Sequence, residues 1–166
     1  MVKYRQNPTQ EIPEEARELL RVFRPGAEEE ARLDDLIQFL EATSPEDWCV
    51  DVVRKGDDGE EERTQNCVFG HIFNWGQARG DGTDKAGNQA WNWFEGYWST
   101  TYATYPVNDG EVAYYDQPTA RERSIAYLRD LRSGAVPGTQ ESMNWDFYGG
   151  DIEAVKEGME RWPHSL

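Results

Sequence analysis

Cys67 and His71 stand four positions apart in the run Asn66-Cys67-Val68-Phe69-Gly70-His71. On a helix, residues at that spacing share a face. A thiol beside an imidazole can serve as an activated nucleophile. With Cys49 approaching from another segment, the trio could instead begin a Cys/His metal site. Structural zinc asks for four ligands, and catalytic zinc for three plus a water. His164 is the one further imidazole, near the end of the chain. The ligand set is therefore short, and no third group orients a Cys67–His71 pair. The expectation is no metal, no cofactor and no enzyme, with two buried thiols and a packed histidine.

Carboxylates form the second constellation. Glu28, Glu29 and Glu30 are followed by Asp34 and Asp35, and Asp57 and Asp58 by Glu60, Glu61 and Glu62. Acidic runs are commonly solvated helix starts and loop tips. The functional reading is an electronegative surface spaced like nucleic-acid phosphates, docking on the basic groove of another protein. Gly80-Asp81-Gly82-Thr83-Asp84 lacks the spacing and terminal Glu of a calcium loop. The chain has no phosphate-cradling glycine loop, serine elbow or HExxH sequence.

Aromatic residues and arginines suggest a different function. Trp91 or Trp98 could stack a base while Arg121, Arg123 or Arg129 holds a phosphate, making a nucleotide-binding or sponge protein. The ordinary alternative is that these rings, with Trp93, Phe94 and Tyr97, build the core.

The 166 residues carry a formal charge of −15 and seven Trp. Such a charge disfavours direct contact with nucleic acid or anionic membranes and favours basic protein surfaces. The excess is uneven: residues 1–62 hold 18 acidic against 8 basic side chains, a net of −10. No stretch approaches the ~18 apolar residues of a membrane span, and the amino end shows no apolar signal region. Two cysteines make no disulfide framework. A soluble cytoplasmic protein is expected, of unspecified oligomeric state.

The elements that would position these groups form an α+β fold: a single, mostly helical domain with one or two β-hairpins. Residues 1–12 read as a loose N-terminal arm, and 13–166 as one globular domain. Pro13 opens a helix over 14–24, stopped by Pro25-Gly26. A second helix over 27–43 carries Leu33, Leu36, Ile37 and Leu40 as one stripe. Residues 48–55 and 61–66 read as a hairpin around Gly56-Asp57-Asp58-Gly59, bringing Cys49 near Cys67. Helices follow over 67–77 and, capped by Asp84, over 85–98. Residues 101–116 read as extended, turning at Asn108-Asp109-Gly110. Thr119-Ala120-Arg121-Glu122 is a capping box for a helix through Leu131. Thr139 and Asp151 can each cap a further helix, the last with Ile152, Val155, Met159 and Trp162 on one face.

Several of these stretches together carry a resemblance. Trp48-Cys49, the run from Asn66 to Phe73, Tyr105-Pro106-Val107-Asn108-Asp109-Gly110, Pro118 to Arg123 and Ile125-Ala126-Tyr127-Leu128 resemble small uncharacterised proteins of actinobacterial phages and their hosts. The similarity spans roughly residues 30 to 135 and implies a small cytoplasmic accessory protein. That family is a domain of unknown function, so no catalytic residue is carried over. Combined with the charge, the expectation is a counter-defence or anti-CRISPR-like inhibitor of a basic host protein. Partner contacts would lie in residues 28–35 and 57–62.

Overall fold

Short capping residues and glycines set most of the helix boundaries. A computed structural model describes residues 12–19, 25–55, 64–134, 145 and 148–161. The helices are α1 (Glu14–Leu19), α2 (Ala27–Glu41), α3 (Val68–Arg79), α4 (Asp84–Tyr97), α5 (Thr101–Asp109), α6 (Ala120–Ser133) and α7 (Ile152–Arg161). A 3-10 turn covers Pro45–Asp47, and strands β1 (Arg54–Lys55) and β2 (Gln65–Asn66) pair antiparallel. The α+β class with one small hairpin holds.

Threonines start three of the helices. The hydroxyls of Thr83, Thr100 and Thr119 accept the N–H groups of Ala86, Ala103 and Glu122 at 3.2, 3.2 and 3.1 Å. Each satisfies a donor that has no partner inside its helix. The cap of α4 is thus Thr83, and Asp84 is its first helical residue. Asp81 supports that turn by accepting the Thr83 hydroxyl at 2.5 Å.

Residues 101–116 correct the sequence reading. Instead of an extended pair, 101–109 form α5, and Gly110 closes it at φ +80. A left-handed glycine suits both a tight hairpin turn and a helix C-terminus. The Thr100 cap decides for the helix, even with Pro106 inside it. Residues 48–53 also depart from the expected strand. Asp51 takes φ +66, which breaks the extended run, and among the described residues regular pairing covers two residues per strand. Trp48 makes only an isolated bridge to Asn66.

The main core joins the Leu33, Leu36, Ile37 and Leu40 stripe of α2 to Phe69, Ile72 and Trp75 of α3. Ala90, Trp93 and Phe94 of α4, and Ile125, Leu128 and Leu131 of α6, complete it. Helices α3 and α4 meet closely at Gly76, where a Cβ would lie 2.4 Å from that of Ala90. A smaller cluster joins the two ends of the chain: Ile12, Ala16 and Val155, with Leu19, Tyr148 and Ile152 packed against them. Ile12, expected in the loose arm, is therefore buried. The rest of that arm, residues 20–24 of the first expected helix, the Gly56–Gly59 turn, the Thr139 cap and Trp162 lie outside the described residues. Among the described residues, no helix is long and apolar enough to cross a membrane.

Candidate functional site

The thiol–imidazole set does not form a reactive pair. Cys49 and Cys67 flank the hairpin ladder, through Cys49 N–H to Asn66 O (3.0 Å) and Cys67 N–H to Val53 O (2.9 Å). They are not joined by a disulfide. The Cys67 thiol turns to the Tyr105 hydroxyl at 3.7 Å, and burial pushes its pKa up. His71 stacks on Trp48, with ring centroids 4.2 Å apart, and its Nε2 lies 3.1 Å from the Asp47 carbonyl. That oxygen only accepts, so Nε2 carries the proton. Burial lowers the His71 pKa to about 4. A thiolate–imidazolium pair needs both shifts in the opposite directions. His164 lies outside the described residues. Among the described residues, no cluster of three or more His, Cys, Asp or Glu could hold a metal.

Arginines take up most of the acidic face of α2. Glu30 and Asp34 both pair with Arg132 of α6, at 3.3 and 3.0 Å. Asp35 accepts from Arg79 and from the Trp75 indole N–H, each at 2.8 Å. The Arg79 hydrogen bond chiefly holds its pKa below the ordinary value. Glu41 pairs with Arg129. Glu29 accepts the Gly26 N–H at 3.1 Å at the helix start, leaving exposed Glu28 as the outward charge of this group. Asp57, Asp58, Glu60, Glu61 and Glu62 lie outside the described residues. The segment leading into them is described: Asp51, Val52 and Val53 are all exposed, the two valines at 41% and 37%. The Asp51 N–H is anchored on Asp109 Oδ1 at 3.1 Å.

The residues of the nucleotide reading are not brought together. Arg123 donates to the carbonyls of Val107, Gln117 and Asn108, tying the end of α5 to α6. Arg121 donates to the Thr43 and Glu41 carbonyls at the end of α2. Arg121 and Arg129 line one shallow recess, but Glu41 and Glu122 share it and offset their charge. Trp98 is buried in the core. Trp91 is half-buried and stacks on Phe69, with centroids 4.6 Å apart.

A different cation lies beside Trp91. Arg54 and Val53 from the hairpin, Gly70 and Phe73 from α3, and Asn88 and Trp91 from α4 line an open groove of about 280 Å³. Arg54 Nε donates to Asn66 Oδ1 at 2.8 Å and Nη2 to Asn74 Oδ1 at 2.7 Å. Phe73 is seated there because Gly87 of α4 has no side chain: a Cβ would come 2.5 Å from its ring. Gly70 lets the first turn of α3 lie on the backbone just before β1, since its Cβ would sit 2.7 Å from Val53 O. Arg54 and Phe73 carry no sequence signal of this role. One sits in a two-residue strand, and the other reads as an ordinary helix aromatic.

Comparison of the chain with protein-family models, with curated proteins and with solved structures gives no match.

Proposed function

We propose that this protein acts by non-covalent occupation of a positively charged surface on another protein, with the β1–β2 hairpin edge as its docking element. The observation that carries the reading is the exposed run Asp51-Val52-Val53 leading into a connection that holds Asp57, Asp58, Glu60, Glu61 and Glu62. Exposed valines beside concentrated charge combine apolar contact with electrostatic steering. Helix α2 contributes less, because its carboxylates are largely engaged by Arg79, Arg129 and Arg132. The partner is a basic protein of the kind that grips nucleic-acid phosphates, and the biological role is inhibition. The resemblance to phage-borne accessory proteins supports a counter-defence or anti-CRISPR-like setting in the host cytoplasm.

The test is capture of a partner from host lysate by immobilised protein, at low and high salt and with duplex DNA as competitor. Wild-type protein should retain a basic protein at low salt and release it as salt or DNA rises. The E60K/E61K/E62K variant should lose it. Equal capture by the triple variant overturns the reading.

A further inference from the structure

We propose that the groove between β1, α3 and α4 is a binding site for a small planar aromatic anion. The ring would lie against Trp91 and Phe73, and the anionic group would rest on Arg54.

Arg54 is unlike the other arginines described above. Arg79, Arg129 and Arg132 are paired with carboxylates, and Arg121 and Arg123 are spent on helix-end carbonyls. Arg54 is held by the neutral amide oxygens of Asn66 and Asn74, which orient the guanidinium without cancelling its charge. Asn66 is itself buried in the hairpin, and its backbone carbonyl accepts the Cys49 N–H, so the first amide is fixed. A guanidinium oriented in this way presents its remaining donors as a fork suited to carboxylate or phosphate.

The walls supply the second half of the specificity. The Phe73 ring lies 5.8 Å from the Arg54 guanidinium carbon. Trp91 is backed by Phe69, which fixes the indole plane before any ligand arrives. The close fits at Gly70 and Gly87 keep strand and helices at this separation. Asn88 is exposed on the rim and can hydrogen-bond the polar edge of a ring. At about 280 Å³ the groove is at the small end of ligand pockets, which admits one ring system with one anionic group. The net charge of −15 slows the approach of any anion. That distant field is screened over about 8–10 Å, whereas contact with Arg54 is not.

The chemistry is shared by nucleoside monophosphates and aromatic carboxylates, so calorimetric titration uses one of each: adenosine 5′-monophosphate and 4-hydroxybenzoate. Adenosine, 4-hydroxybenzyl alcohol and inorganic phosphate test ring and charge separately. At least one charged aromatic probe should bind, and its single-feature counterparts should bind about tenfold more weakly or worse. R54Q should weaken that probe about tenfold. N88W fills the groove from an exposed helical position and leaves the Arg54 contacts in place, so it should abolish binding even if R54Q does not fold. Absence of binding by both charged probes at millimolar concentration overturns the proposal. So does unchanged affinity in N88W, or phosphate alone binding as tightly as the best probe.

Discussion

Asn108 Oδ1 accepts the Val68 backbone N–H at 2.9 Å, so the start of α3 is capped from α5, 40 positions away in the chain. The residue at the local cap position is Cys67, whose side chain makes no regular cap hydrogen bond. The same amide donates from Nδ2 to the Cys49 carbonyl at 3.0 Å, and Asn108 is fully buried. One side chain therefore ties together α3, α5 and the segment before the hairpin. Asn108→Ala should leave a buried donor and a buried acceptor unpaired, lowering unfolding stability by about 2–4 kcal/mol. Asn108→Asp keeps the acceptor but loses the donor and buries a charge, so it should not rescue. Urea unfolding measures both, and a loss under about 0.5 kcal/mol in the Ala variant would show that the tie is dispensable.

His71 should make the fold acid-sensitive. Its folded pKa of about 4 lies below the ordinary 6.5, so the unfolded chain binds the extra proton first as pH falls. The stability tied to neutral His71 is complete above pH 6.5 and is lost progressively on acidification towards pH 4. A shift of that size corresponds to about 3 kcal/mol at most. Chemical unfolding between pH 7.5 and 4 should fall more steeply for wild-type protein than for His71→Asn. Parallel curves would assign the acid response to other groups.

Two kinds of carboxylate on α2 should separate cleanly. Asp35→Asn weakens its pairing with Arg79 and removes charge assistance from the Trp75 hydrogen bond. Because the ion pair is 52% and 40% exposed, the loss should stay near 1 kcal/mol. Glu28→Gln removes an outward charge and should change stability by less than about 0.5 kcal/mol. Thermal unfolding of the two variants against wild-type protein distinguishes them by the size of the stability loss. An equal effect of the two substitutions would contradict the arrangement of α2 against α3.

Local chemistry made much of the architecture readable from the chain. The α2 stripe appears in the core as its spacing requires, because four apolar side chains at helical intervals have one common face to bury. The Thr119 cap and the closing Gly134 mark α6 for the same local reasons. Asn108-Asp109-Gly110 was ambiguous, since a glycine at positive φ ends a helix as readily as it turns a hairpin. The Thr100 cap resolves it at the start of α5, and at the other end Arg123 donates to the Val107 carbonyl, close to where a Gly110 Cβ would lie, 3.3 Å from its guanidinium carbon. The strand expected over 48–55 breaks at Asp51, a residue type that tolerates the left-handed region it occupies, with its N–H on Asp109 Oδ1.

The sequence by itself determined the charge, the α2 stripe and the Thr119 cap of α6, because each depends on residue type and near-neighbour spacing. Tertiary structure alone decided which charges remain available. Asp34 and Arg132 are 98 positions apart yet pair at 3.0 Å, which turns a sequence-level acidic patch into a helix brace. Among the described residues, Arg54 is held by the amides of Asn66 and Asn74 beside Trp91 and Phe73, through the packing of a two-residue strand on two helices. Charge compensation acts through distances in space, and linear spacing carries little information about those distances once the chain has folded back on itself.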